Sequence, residues 1–436
     1  MQSFTPVKTN EREIFMDVLR GFAILGIFIA NLNGLSWYGS GGPDATGALL
    51  LPTWDHTMKS LHHMFIEGKF YSIFSFLFGW GIALQLVRSE AKGIKPVSFI
   101  RRRLAIMLLL GAFHLLLWPG DIVFLYALIG FILLPLRRFS NKTLLITAVL
   151  LLLSPILLYW LKMQFPVLRY PTELFFGIGD KLDAKLTGVV SEETFQAFIK
   201  KANWFDVLKA DISGFFFRYG DLFFQSRFPK VLGMMLIGLV VGRSNFYKNI
   251  SQHKKLLYYI IVFGLLIALP ANYMLAKYMN LQDGSYYNYK MNGLYRTIAY
   301  AIGVAPLAAT YIALFMFAFQ TETGKKIMSV TAPVGKMAFS NYIMHTLIGN
   351  FVFLNAGLGY MGKIGPVYYT LFALLVFTMQ IIISTIWLKY YNYGPLEWIW
   401  RSATYRKWQP LKKRINKLKG LIKKRNADEM LKLFIQ

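Results

Sequence analysis

His114 and Asp121 stand seven positions apart in "GAFHLLLWPGDIVFLY", on either side of a Pro119-Gly120 turn. With a helix on each side of that turn, the imidazole and the carboxylate reach similar depth on neighbouring helices. A carboxylate beside an imidazole fixes its tautomer and raises its basicity, which suits a general base or a transient acyl carrier. The same residues have a plainer use, in which Asp121 caps the second helix and His114 bonds a backbone carbonyl. The spacing supports both equally.

A second set, His62, His63, Glu67 and Lys69, lies in "HTMKSLHHMFIEGKF". Adjacent helical residues point about 100° apart and HExxH spacing is absent, so no metal is expected. One histidine is expected to face a cavity and the other the headgroups. In "LRGFAILGIFIANLNG", Arg20 and Asn31 are eleven residues apart. That spacing gives roughly 16 Å of helical rise and returns to nearly the same face. Such an amide can polarise a carbonyl or orient a base. Arg101, Arg102 and Arg103 precede an apolar run, where they satisfy positive-inside and could also hold a phosphorylated donor. Arg218 and Asp221 precede another, and Arg296 opens a third. Arg296 suits an anion or sugar-hydroxyl contact, whereas Arg227 and Lys230 read as snorkelling cations. Ionisable groups at membrane depth are expensive, so each is a site candidate.

The elements that carry these residues must be membrane helices. Of 436 residues 56% are hydrophobic and 17% aromatic, and mean hydropathy is +0.44, beyond what a soluble fold sustains. Ten apolar stretches reach or approach spanning length: Phe15 to Leu35, Phe65 to Leu86, Leu104 to Trp118, Ile122 to Leu136, Leu144 to Leu161, Val231 to Val241, Leu256 to Leu275, Leu294 to Phe319, Met337 to Leu354 and Val367 to Leu388. The expectation is an all-α polytopic membrane protein, a bundle of about ten transmembrane helices over residues 1–400. The loops at Arg88 to Arg103, Arg137 to Lys142, Gly242 to Lys255 and Thr321 to Lys326 are basic and alternate with poorly charged ones. Both termini are therefore expected in the cytoplasm, with no cleaved leader. Residues 162–229 read as an outer-side loop region with a short amphipathic helix around Glu192 to Lys209. Residues 401–436 form a basic tail in which Leu411, Ile415, Leu418 and Ile422 recur at helical spacing, which suits the anionic lipids of the cytoplasmic leaflet.

The net charge of +27 is thereby accounted for by lipid, and no nucleic-acid partner is expected. There is no cysteine, which excludes thiolate chemistry and disulfides. No Walker, dinucleotide or GxSxG motif occurs, which argues against an ATP-driven pump or a serine hydrolase.

The segments "DVLRGFAILGIFIAN", "GKFYSIFSFLFGWG", "GAFHLLLWPGDIVFLYA", "LGMMLIGLVVGR", "GKMAFSNYIMHT" and "GPLEWIWRSATY" together resemble, in this order, the bacterial YeiB-like family of membrane proteins of unknown function. That family is similar to the transmembrane acyltransferases, including the heparan-α-glucosaminide acetyltransferases and those that decorate bacterial glycans. The resemblance implies a ten-helix bundle that takes an acyl group, with acetyl as the expected one, from cytoplasmic acyl-CoA to a hydroxyl or amine on the far side. The glycan-decorating relatives carry an arginine and, eleven residues on, a histidine, where this chain has Arg20 and Asn31. The heparan-type relatives have asparagine there and a histidine in the following loop, where this chain has Gly41 and Gly42, with His56 only later.

The resemblance thus implies an acyltransferase of the cell membrane. Its chemistry is expected from His114 with Asp121, or secondly His62 and His63, with Asn31 assisting. Acetyl-CoA is expected near Arg20 and Arg101 to Arg103. An envelope glycan or small-molecule acceptor is expected near Glu67, Lys69, Arg218 and Arg296. The rival expectation is an exporter of a small metabolite or anion lined by Arg20, Asp121 and Arg296, with breaks at Pro270, Pro306 and Pro333. A homo-oligomer stays open.

Overall fold

Each of the ten apolar stretches lies on a helix in the computed structural model, which describes residues 14–38, 49–91, 93, 96–244, 246–281 and 283–413. In chain order the helices are α1 (Ile14–Leu35), α2 (Pro52–Phe65), α3 (Lys69–Glu90), α4 (Val97–Leu115), α5 (Val123–Leu136) and α6 (Asn141–Gln164). Next come α7 (Tyr170–Thr187), α8 (Glu192–Lys201), α9 (Trp204–Phe224), α10 (Arg227–Arg243), α11 (Lys254–Phe263) and α12 (Leu269–Asn280). The last are α13 (Met291–Ala318), α14 (Glu322–Met328), α15 (Ala332–Lys336), α16 (Ala338–Phe353), α17 (Pro366–Tyr390) and α18 (Pro395–Tyr405). Among the described residues the fold is all-helical, with two isolated β-bridges.

Six helical segments among these residues are long and apolar enough to cross a membrane: α1, α2 with α3, α6, α11 with α12, α13 and α17. The bent pair α9–α10, angled by 71°, makes a seventh if counted as one span. The other stretches fall short for physical reasons. α5 has 14 residues and α16 has 16, about 21 and 24 Å of rise against a core of about 30 Å. α4 carries three arginines in its first turns. Leu150, Leu153 and Leu157 of α6 and Leu371, Leu375 and Ile382 of α17 are exposed, the outward apolar face that lipid requires.

The chain departs from the sequence expectation at three places. The second apolar stretch does not start a helix at Phe65, because Gly68 at φ 81° breaks the chain and α3 begins at Lys69. The helix expected around Glu192 to Lys209 is divided at Ala202, where Asn203 starts a new capping box and so begins α9. Residues 162–229 are mostly helical rather than loop, and α7 packs on α9 through Phe175, Phe176, Phe217 and Phe223. The interfacial helix expected through Ile415, Leu418 and Ile422 lies outside the described residues.

The centre of the bundle is the α3–α10 crossing. A Cβ on Gly79 would stand 1.9 Å from the Met235 carbonyl oxygen, and one on Gly238 1.9 Å from that of Phe76. Backbone on both sides leaves nothing flexible to yield. Gly79→Ala is therefore expected to destabilise the protein by at least about 1–3 kcal/mol, the cost of overpacking, measured as a lower unfolding temperature in detergent. An unchanged melting curve would mean that the two helices do not approach this closely.

Candidate functional site

The turn expected between His114 and Asp121 forms between α4 and α5 and brings them together. His114 Nδ1 lies 2.7 Å from Asp121 Oδ1. Asp121 Oδ2 accepts the Phe124 N–H at 2.7 Å, so one carboxylate both orients the histidine and caps α5. His114 Nε2 lies 2.9 Å from Thr346 Oγ1 on α16, a partner 232 residues away that the sequence did not disclose. The order carboxylate, imidazole, hydroxyl is that of a nucleophilic triad, but the set is closed. His114 is 0% and Thr346 1% exposed, the Tyr342 ring covers the imidazole edge-on at 5.1 Å, and neither cavity at this end of the bundle touches them. The dyad ties three helices together.

Two cavities meet at Glu67. The larger, about 190 Å³, is lined by Glu67, Gln225, Lys230, Tyr286, Tyr287 and Arg296 among others. The smaller, about 20 Å³, lies among Asn33, Lys59, His62, His63, Glu67 and Tyr369. It has room for about one water, against on the order of ten in the larger. Both histidines therefore face the cavity, which corrects the expectation that one of them would face headgroups. The reason is that α2 is wedged between α12 and α17. His62 Nε2 is engaged by Thr370 Oγ1 at 3.0 Å and its Nδ1 lies 3.4 Å from Tyr369 OH. His63 is 7% exposed and its Nε2 has no hydrogen-bond partner among the described residues. Lys69 takes a structural post: fully buried, it donates to the His63 carbonyl at 2.8 Å and fastens the end of α2 to the start of α3.

The wall behind the larger cavity is a chain of charges at the α9–α10 bend. Asp221 accepts both Nε2 contacts of Gln225 at 2.8 Å and pairs with Arg218 at 3.5 Å. Gln225 Oε1 accepts from Arg227 Nη2 at 2.6 Å, and Arg227 lies over the Tyr71 ring at 4.3 Å. Lys230, only 6% exposed, rests its Nζ 3.9 Å above the Tyr300 ring. Arg296 sits 3.9 Å from the Tyr286 ring centre. Desolvation pushes the phenol of the half-buried Tyr286 up from its ordinary value, and the more exposed Tyr287 lines the same cavity.

Arg227 and Lys230 are the residues that the snorkelling expectation undervalued. Both occupy the first turn of α10, where the helix dipole disfavours cations. A cation placed against the dipole is a sequence signal for something other than helix stability.

Arg20 and Arg103 meet at the opposite end. Arg20 pairs with Asp17 at 3.1 Å, and its Nη2 lies 3.8 Å from where a Gly81 Cβ would stand. Arg103 Nη1 donates to Gln85 Oε1 at 3.2 Å, and Gln85 Nε2 to the Gly81 carbonyl at 3.0 Å. Both guanidiniums thus border one turn of α3. Arg103 also lies over Trp400 of α18 at 4.3 Å, and Arg102 Nε donates to the Thr404 carbonyl. Arg101 is exposed. Asn31 is half-buried and lines neither cavity; the exposed Asn33, two residues on, lines the smaller one beside Ala30. Among the described residues no three His, Asp or Glu side chains converge as a metal site.

Comparison with known proteins gives a consistent set of relatives. The model of a protein family of unknown function, DUF418, matches residues 241–407. The chain is 31% identical to the uncharacterized protein YxaH of Bacillus subtilis, over 95% of this chain and 99% of that protein. It is 29% identical to the uncharacterized protein YeiB of Escherichia coli, over 91% and 97% respectively. An uncharacterized 39.9 kDa protein in the amylase 3′ region of Bacillus acidopullulyticus is 25% identical, over 93% and 97%. No solved structure matches the chain.

Proposed function

Because the chain belongs to the YeiB-like DUF418 family, we propose that it is a cell-membrane acyltransferase with acyl-CoA as donor and His63 as general base. The observation that carries this reading is the buried, unpartnered Nε2 of His63 on the cavity that shares Glu67 with the larger one. A base must offer a lone pair to a proton it can reach, and His63 has one where His114 does not. The reading also rests on the resemblance to the transmembrane acyltransferases. In this reading both termini are cytoplasmic, which puts Arg20 and Arg103 on the donor side and the cavities on the outer side, with the tail on the anionic leaflet.

In this scheme the diphosphate of acyl-CoA lies against Arg20 and Arg103, and the acyl arm passes along α1 toward Asn33. The acceptor hydroxyl or amine enters the larger cavity. His63 Nε2 takes its proton as the acceptor oxygen or nitrogen attacks the thioester carbonyl. Collapse of the tetrahedral intermediate breaks the C–S bond, and the thiolate of CoA leaves and takes up the proton.

The test is CoA release from acetyl-CoA by the purified full chain in nanodiscs, with and without an envelope extract as acceptor. Release that depends on the extract supports the reading, and none under either condition overturns it. Arg20→Ala is expected to raise KM for acetyl-CoA about tenfold or more, the cost of one charge-assisted hydrogen bond, with kcat little changed. An unaltered KM would remove Arg20 from the donor site.

One observation favours a second reading, export of a small anion. The α9–α10 segment is broken by 71° beside Gln225, which lines the cavity, and broken helices at a binding site mark many transporters. Flux from proteoliposomes without any CoA would select it.

A further inference from the structure

We propose that the larger cavity binds a phosphate group, held between Lys230 of α10 and Arg296 of α13. This rests on the proposed function in one respect only: it names the chemical class of the acceptor. The binding argument stands on charge and geometry.

Arg218 is matched by Asp221. That leaves Lys69, Arg227, Lys230 and Arg296 facing one carboxylate, Glu67, which interacts with these cations at a distance and, among the described residues, forms no direct ion pair with them. Two of the four have posts: Lys69 holds a backbone carbonyl, and Arg227 is fixed by Gln225 and the Tyr300 hydroxyl. Lys230 and Arg296 have only aromatic faces, and among the described residues no acceptor reaches either of them. An ammonium on a residue 6% exposed, with no carboxylate in direct contact among the described residues, is costly at membrane depth. Both line the same cavity.

The ligand that repairs this imbalance carries close to two negative charges on several acceptor oxygens. A phosphate ester does so and a carboxylate does not. Arginine grips such a group as a fork and lysine as a point charge. The hydroxyls of Tyr286 and Tyr287 add donors from the facing loop. The cavity volume of about 190 Å³ leaves room beside the phosphate for a polyol of a few carbons, on the order of ten non-hydrogen atoms in all. The phosphate could be supplied by a free polyol phosphate or by the headgroup of a phospholipid.

The experiment is calorimetric titration of glycerol 3-phosphate into the purified full chain in phosphatidylcholine nanodiscs, with no acyl donor present. Saturable binding is expected, at least tenfold tighter than that of glycerol or glycerate. Lys230→Met and Arg296→Gln should each weaken it at least tenfold, and Lys230→Arg should retain most of it. Lys230→Met also removes an unpaired buried charge, so the ligand-free variant should melt no lower than the parent; if it fails to fold, Arg296→Gln carries the comparison. A second arm uses nanodiscs containing phosphatidylglycerol. If that lipid competes with glycerol 3-phosphate, or raises the melting temperature only when Lys230 and Arg296 are intact, the headgroup is the source. Equal affinity for glycerol, equal affinity for glycerate, no binding in either arm, or binding untouched by both substitutions overturns the proposal. Binding without acyl transfer would overturn the enzyme reading alone. Acyl transfer to an uncharged acceptor, unaffected by Lys230→Met, would overturn this inference alone.

Discussion

His63→Ala is expected to lower acyl transfer by about 10²–10⁴-fold, the usual contribution of a positioned general base, while leaving the unfolding temperature within a degree or two. The split follows from the bonds that each ring makes. His63 has a free Nε2 at the cavity, so its loss removes a proton acceptor and breaks no hydrogen bond of that atom. The tie that secures this turn runs from Lys69 to the His63 backbone carbonyl, which alanine keeps. His62 is the control. Its ring is bonded to Thr370 and Tyr369, so His62→Ala should lower stability more than turnover. CoA release under saturating acetyl-CoA, with thermal unfolding of the same samples, measures both. Full turnover in the His63→Ala protein would reject His63 as the base.

Local features of this site were legible in the sequence and distant ones were not. The His114–Asp121 contact was one of two readings that the spacing left open, because a Pro119-Gly120 turn between residues seven positions apart brings the two side chains to similar depth. Thr346 could not, since nothing at position 346 signals that α16 packs beside that turn. The helices were legible wherever an apolar run met a strong boundary, as at α6 and α17. They were blurred where a left-handed residue divides a run, as Gly68 does between α2 and α3. Arg20 and Asn31 do share one continuous helix, as their spacing implies, but the α1 amide that lines the smaller cavity is Asn33, and only the neighbours of α1 decide where a cavity forms. The larger cavity draws on α3's approach, the α9–α10 bend, the loop before α13 and α13 itself. Its lining residues span more than two hundred positions, so no local pattern announces it.

His114→Ala is expected to cost about 3–5 kcal/mol of stability, the cost of leaving a buried carboxylate without its partner, and to lower activity only in proportion to the folded fraction. Removing the ring leaves the Asp121 carboxylate, 1% exposed, with the Phe124 N–H as its one remaining bond, and strips Thr346 of its partner. It also unfastens α4 and α5 from α16, leaving among the described residues Asn350 Nδ2 to the Leu117 carbonyl and the long bond from the Ile122 N–H to the Tyr342 hydroxyl. His114→Gln should recover part of the loss, because an amide can bridge a carboxylate and a hydroxyl without being a base. Thermal unfolding and CoA release, both corrected for folded protein, separate the two roles. Normal stability with abolished turnover in His114→Ala, unrescued by glutamine, would move the chemistry from His63 to the closed dyad and require the bundle to open around it. A lowered melting temperature rescued by glutamine would leave the dyad as the clamp that holds the outer ends of three helices in register around the charged cavity.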